Sequence, residues 1–417
     1  MTLNAITPTA EQFPWFPYEG FTFCLGLTEG DDAWTSGHTS ARHDATIGKM
    51  TVNGTMTEQA EIAYRKTLAI LEAAGFTAAD VTRITENVTK AGMHAYEEQA
   101  AVRRRIYGDR PTVRTVAVER LVRRNAWLEV ELHATKGGGK TLVATSSEPQ
   151  AGTFRPSAIT EGAHGVVYLP TVVPIDENGE VVFPGDFVAQ YRYVLEKAGE
   201  MLESVGLTLG HAVTTFDYST PETRDVYRKT HWVRKELLGQ NKNGVFPGAG
   251  GILMSELHAP GVMVAMDVTA SRHELELVNP GWSRYDTLTY APGIKAGRML
   301  FMSGFASLDM ESQQALHDGD LGKQAEVTYG AIVHLLESEG LTPADLLETT
   351  EYCVESYVGD YKAVAEVRER LLTAPWPAST GALCHSLLRP EFGLEVFPTA
   401  IYPEDHPRIT AASSTGA

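Results

Sequence analysis

Cysteine is scarce: Cys24, Cys353 and Cys384 are the only three in 417 residues. The number is odd and the spacings are wide. No CxxC or Cys/His pairing occurs, so neither a disulfide framework nor a zinc site is readable. Positive charge is also short, with 35 Lys and Arg against 53 Asp and Glu for a net charge of −18. That balance argues against nucleic acid and acidic membranes as partners. The run Arg103-Arg104-Arg105 does not reverse it, because it closes a helix pattern, where cations suit the helix dipole. No stretch approaches the roughly 18 consecutive apolar residues of a membrane-spanning helix. The opening residues, MTLNAITPTAEQFPWF, lack a basic segment followed by an apolar run, so no signal peptide is expected and a cytoplasmic setting is the default. A hydrophobic content of 43% with 21% charged residues excludes a disordered chain.

What is present is repetition. The length suggests about three domains. Thr57–Gly75 reads as an amphipathic helix stopped by Gly75. Thr77 and Asp80 then form a helix-start pattern ahead of a strand. A second helix and two strands follow, giving the order β-β-α-β-α-β-β. The segments LEAAGFTAAD, LESVGLTLGH and LESEGLTPAD begin at Leu71, Leu202 and Leu336, steps of 131 and 134. Ser36-Gly37, Pro170-Thr171 and Ser303-Gly304 recur at steps of 134 and 133. The period is too long for a solenoid, so we read three tandem copies of one α+β domain. A closed ring would satisfy every interface between them, making a pseudo-trimer within one chain. The expected boundaries are 1–136, a Gly/Ser/Pro-rich linker at 137–160, 161–272, 273–403 and a disordered tail at 404–417.

Arg110–Thr135 is the most informative stretch. It reads as two strands joined by a basic turn, with Arg114, Val116 and Val118 on one face and Trp127, Glu129 and Glu131 on a face of the other. Guanidinium offers paired donors suited to a planar carboxylate. Glu129, if buried, could exchange protons with water and a leaving nitrogen. The plainer alternative is a cross-strand ion pair that closes a hairpin. Glu131 should share the face of Glu129. In the second copy Gly250 or Ala249 stands at the arginine position and Ala265 at the glutamate. In the third copy Ser379 and Glu395 stand there.

The element order, the LExxG-(Leu/Phe)-Thr helix ends, the strand-ending Ser-Gly and the Arg/Glu spacing together resemble the reactive intermediate deaminase (Rid, YjgF-type) superfamily, three times over. That resemblance implies a chorismate-mutase-like fold, clefts between domains, and hydrolysis of amino-acid-derived imines or enamines without cofactor or metal. Carried over, it makes Arg114 the carboxylate anchor and Glu129 the group near the attacking water, with Ser36 and Gly37 lining the cleft. Val116 stands where Cys or Thr is common, and Phe23 where a cleft tyrosine is common. Tyr290, Ser303, Gly304, Ser379 and Glu395 would form a secondary cleft.

His38 is a further candidate for substrate contact, although a loop histidine is more often polar surface, and with His43 it makes only a weak metal signal. Cys384 reads as a small buried residue rather than a nucleophile. Gly248, Gly250 and Gly251 lack the lysine and helix of a phosphate loop and read as space in a cleft. The expectation is an enzyme: a hydrolytic deaminase of a carboxylate-bearing imine or enamine, acting on a small molecule as a monomeric pseudo-trimer or a dimer of it. A cyclase, dehydratase or condensation enzyme of specialised metabolism, a chorismate-cleaving hydrolase, and a non-catalytic binding or chaperone-like protein remain as alternatives.

Overall fold

The computed structural model describes residues 3–18, 20–143 and 158–414. Three large mixed sheets each carry their own helices, which is the α+β, three-copy architecture expected. The same arrangement recurs in each. In the first sheet, Val81–Thr89 runs parallel to Thr112–Val118 on one side and antiparallel to Leu128–Thr135 on the other. Ala212–Ser219 lies likewise between Gly248–Leu253 and Val264–Ser271. Leu346–Val354 lies between Ala378–Cys384 and Leu394–Ile401. The two strands of the Arg110–Thr135 stretch are therefore not a paired hairpin, because a third strand from earlier in the chain separates them.

Local chemistry explains the helices. Met56–Ala73 begins at Thr55, which forms a reciprocal capping box with Glu58, and the chain leaves through Gly75 at φ +76°. Thr77 and Asp80 cap a short 3-10 turn before Val81–Thr89. Phe187–Glu203 and Leu321–Ser338 open at Asp186 and Asp320, whose side chains accept backbone N–H groups. Each long helix buries one apolar face on its own sheet. Ala60, Tyr64 and Ile70, then Tyr191, Val194 and Leu195, then Tyr329, Ile332 and Leu335 sit in three separate cores.

Two segments differ from expectation. Lys140–Val143 is a strand of the second sheet rather than linker, and 144–157 lie outside the described residues. Pro407–Ser414 is a helix where a disordered tail was expected, and 415–417 lie outside the described residues. Among the described residues, no helix is long and apolar enough to cross a membrane.

The three units close on one another through backbone N–H to side-chain hydroxyl bonds, the same bond at two seams and a displaced one at the third. The Ser379 N–H of unit 3 donates to Ser36 Oγ of unit 1 at 2.8 Å. The Ala249 N–H of unit 2 donates to Ser303 Oγ of unit 3 at 2.9 Å. The Thr115 N–H of unit 1 donates to Thr171 Oγ1 of unit 2 at 3.0 Å. The three Ser-Gly or Pro-Thr landmarks thus each grip the hairpin-entry strand of the next unit, and the ring is closed.

Candidate active site

These three seams define three possible clefts, and their equivalent positions can be compared directly. The sheet registers fix them: Thr85 pairs with Arg114, Phe216 with Gly250 and Thr350 with Thr380, so Arg114, Gly250 and Thr380 occupy one position, two residues before the Val116 position. The glutamate position holds Glu129, Ala265 and Glu395 in turn.

The seam between units 2 and 1 is apolar at the glutamate position, and a cavity of about 510 Å³ lined by Val118, Glu119, Leu257 and His258 opens elsewhere along it. Val116 and Ala265 are both 0% exposed and share one apolar cluster. Arg114 lines a small cavity of about 90 Å³ with Arg83, Glu131, Tyr168, Asp267 and Glu348. Its Nε donates to Leu169 O at 3.1 Å, and its Nη2 donates to Val268 O at 2.7 Å and Thr269 Oγ1 at 2.9 Å. It also lies 5.7 Å from the Tyr168 ring centroid. Three of its five N–H bonds go to neutral acceptors of unit 2, and the two on Nη1 are left on the side that lines the cavity. The plainer ion pair between Arg114 and Glu129 is not formed. The physical reason is the intervening strand: Arg114 lies beside Thr85, and Thr85 beside Glu131, whereas Glu129 lies beside Asn87 and Thr39.

The cleft between units 1 and 3 does bring Glu129, Ser36 and Gly37 together, with Ser379 and Thr380 supplied by unit 3. Gly37 is tightly enclosed: a Cβ there would stand 3.0 Å from Glu129 Cδ and 2.7 Å from Thr380 Cγ2. Burial, then the neighbouring Glu131, pushes Glu129 up to about 8, against the pull of Arg123 and Lys66. His38 is not a cleft-lining acid or base. It is 4% exposed and packed 5.8 Å from the Phe13 ring, and burial with the Lys66 cation pushes it down to about 3. Phe23 stacks on Phe21 at 5.0 Å, and Phe21 lies 6.0 Å from Phe16, which covers Lys66 at 5.1 Å. The aromatic lead-in thus packs across this region.

The cleft between units 3 and 2 is open, with a volume of about 450 Å³. Tyr290, Gly304 and Glu395 of unit 3 line it, as the secondary-cleft expectation had them; Ser303 makes the adjoining seam bond, while Ser379 belongs to the other seam. Burial and then the Asp217 carboxylate push Glu395 up to about 8. Space around it is made by glycine. A Cβ at Gly304 would fall 2.1 Å from Glu395 Oε1, and one at Gly250 would fall 1.9 Å from Phe397 Cε1. Gly250 and Gly251 line the cleft, and the space a side chain would take at each is filled by Phe397 and Tyr227. The Tyr290 hydroxyl accepts a hydrogen bond from Arg284 at 3.2 Å.

Unit 2 adds residues that the sequence reading missed: Tyr227, Arg228, His231 and Arg234. A signal for two of them was present. YEEQAAVR, YRKTHWVR and YKAVAEVR begin at Tyr96, Tyr227 and Tyr361, and each follows an acidic residue by ten, Glu86, Asp217 and Glu351. Cys384 is fully buried, and burial raises its thiol well above the ordinary value, as suits a packing residue.

With this geometry in view, the comparisons with known proteins can be placed. The family model described as endoribonuclease L-PSP matches residues 23–136 and 285–402. The chain belongs to that family, the Rid or YjgF superfamily expected from the sequence. The two matched stretches cover units 1 and 3, and unit 2, which has lost both arginine and glutamate, lies between them. A curated relative, 3-aminoacrylate deaminase RutC of Acinetobacter baylyi, is 43% identical over 47 residues, 11% of this chain and 37% of that protein's length. Among solved structures, a chorismatase is 16% identical with a TM-score of 0.48, covering 77% of this chain and 93% of the other. A YjgF/YER057c/UK114 family member from Mycobacterium tuberculosis is 19% identical with a TM-score of 0.27, covering 31% of this chain and all of its own.

Proposed function

We propose that the protein is a cofactor-independent hydrolase that deaminates a small imine or enamine bearing a carboxylate, in the cleft between units 3 and 2. The observation that carries this reading is Glu395. Its carboxyl sits in a glycine-walled cleft with a value raised to about 8, so it holds a proton near neutral pH. A protonated acid there can give its proton to the imine nitrogen and make the carbon electrophilic. Water adds to that carbon and its proton passes to the carboxylate; the carboxyl then protonates the amine nitrogen, and as the carbon–nitrogen bond breaks and ammonia leaves, the hydroxyl gives its proton back to the carboxylate and becomes the carbonyl. Family membership supports the reading, as does the short stretch shared with a protein named for 3-aminoacrylate deamination.

The test is ammonia release from 2-aminoacrylate or iminopropionate generated in situ, and from 3-aminoacrylate. The wild type should accelerate at least one of them over buffer, with the rate falling as pH rises through about 8, where Glu395 ionises. Glu395→Gln should lose about 100-fold or more, the scale of a general acid. No acceleration by folded protein on any of these would sink the reading.

A further inference from the structure

The strand that borders the open cleft, Gly248–Leu253, offers no cation: it reads GAGGIL. Yet the neighbouring helical wall carries Arg228, His231 and Arg234, spaced by three residues, in a chain whose net charge is −18. Whether that wall is electrically available depends on what already neutralises Arg234, and the three repeats answer this by comparison.

In unit 1, Arg103 Nη1 lies 2.7 and 2.8 Å from the two oxygens of Glu86. In unit 3, Arg368 Nη1 lies 2.9 Å from Glu351 Oε1. Both carboxylates are fully buried, so each arginine is neutralised by a dedicated partner. In unit 2 the carboxylate is Asp217, one methylene shorter. It is satisfied instead by the Tyr227 hydroxyl at 2.7 and 2.9 Å and by Ser219 Oγ at 3.2 Å. Arg234 turns to neutral acceptors. Its Nε and Nη2 donate to Thr289 O at 3.2 and 3.1 Å, and its Nη1 donates to Tyr191 Oη at 3.2 Å and Thr215 Oγ1 at 2.8 Å. Of the five N–H bonds of a guanidinium, these account for four. One on Nη2 is left, on a side chain that lines the cleft; among the described residues no carboxylate makes a direct ion pair with Arg234, and Asp217 acts on it only as a nearby charge.

We propose that Arg234, released by the shortness of Asp217 and seconded by Arg228 at the rim, is the anion anchor of this cleft. The substrate carboxylate is held by the helical wall of unit 2, not by a strand arginine, and its reacting carbon is presented to Glu395. This rests on the reading of the open cleft as the substrate site, and it names the specificity residues of that site.

The experiment titrates benzoate and its uncharged analogue benzamide into the full-length protein at pH 7, followed by calorimetry. The wild type should bind benzoate at least tenfold tighter than benzamide. Asp217→Glu restores the carboxylate length found in the other two units, re-pairs Arg234 and should bring the ratio close to one. Arg228→Ala, at an exposed position, should lower the ratio severalfold without disturbing benzamide. Glu395→Gln should keep the preference while losing turnover; a wild type that shows the preference but deaminates none of the substrates overturns the function reading and leaves the anchor standing. Equal affinities in the folded wild type, or a ratio unchanged in both Asp217→Glu and Arg228→Ala, would overturn the anchor.

Discussion

Glu129 and Glu395 occupy one position in two units and reach the same raised value by different routes. Burial leads in both, followed by Asp217 for Glu395 and by Glu131 for Glu129. Glu129 Oε2 is out of solvent with no hydrogen-bond partner. Such a carboxyl makes stability depend on pH with a definite sign. Below about 4.5, the ordinary value, both folded and unfolded chains hold the proton; between there and about 8 only the folded chain does; above that neither does. The folded state therefore loses stability as pH rises through that window. Glu129→Gln removes the group, so its melting temperature should gain on the wild type progressively from pH 5 to pH 8.5. A difference constant with pH would show that Glu129 titrates normally. The importance of this position was legible in sequence from its place in the Arg110–Thr135 stretch and its repeat as Glu395. Its partner was not, because the fifteen-residue spacing from Arg114 to Glu129 survives even though an intervening strand separates the side chains.

The helices show what local sequence reveals and what it hides. Caps such as Thr55 with Glu58 announce a helix directly, and Met56–Ala73 begins one residue from the expected start. The Tyr-x-x-x-x-x-Val-Arg repeat places an arginine at one turn of three helices, but its electrical state depends on a strand residue far away in sequence. One methylene separates Glu351 from Asp217, and no periodicity reports it. That difference predicts unequal costs. Arg368→Met strands the fully buried Glu351, which also binds the Tyr329 and Tyr361 hydroxyls. Breaking a buried pair by removing one partner costs about 3–5 kcal/mol. Arg234→Met strands no carboxylate of that kind and should cost clearly less. Urea unfolding of the two variants decides it, and equal losses would mean that Asp217 and Arg234 are coupled as tightly as the other pairs.

At the scale of the whole molecule, the ring is closed unequally. Arg120–Leu121 of unit 1 adds an edge strand to the sheet of unit 3, and Ser386–Leu387 of unit 3 adds one to the sheet of unit 2. The third seam, between units 2 and 1, has no such strand exchange among the described residues and is held by side chains. His258 bonds Thr115 O at 2.8 Å, Thr171 Oγ1 accepts from the Thr115 N–H, and Arg114 reaches the carbonyls of Leu169 and Val268. Near the centre, Arg83 joins Glu131 to Glu348 at 3.2 and 2.6 Å across units 1 and 3. Triplication was plain in the repeated landmarks; which residue bridges which seam was not, since each bridge joins positions more than fifty residues apart. Arg114 is thus a clasp on the seam that lacks a shared strand. Arg114→Met leaves the Leu169 carbonyl without its donor and Val268 O with only the Leu169 N–H at 3.3 Å, and hydrogen bonds to charged groups are worth about 1.5–3 kcal/mol each. We expect a loss of several kcal/mol in urea unfolding, with turnover per folded molecule and benzoate affinity at the Glu395 cleft unchanged. A variant of wild-type stability that had lost turnover would return Arg114 to the reaction and remove it from the seam.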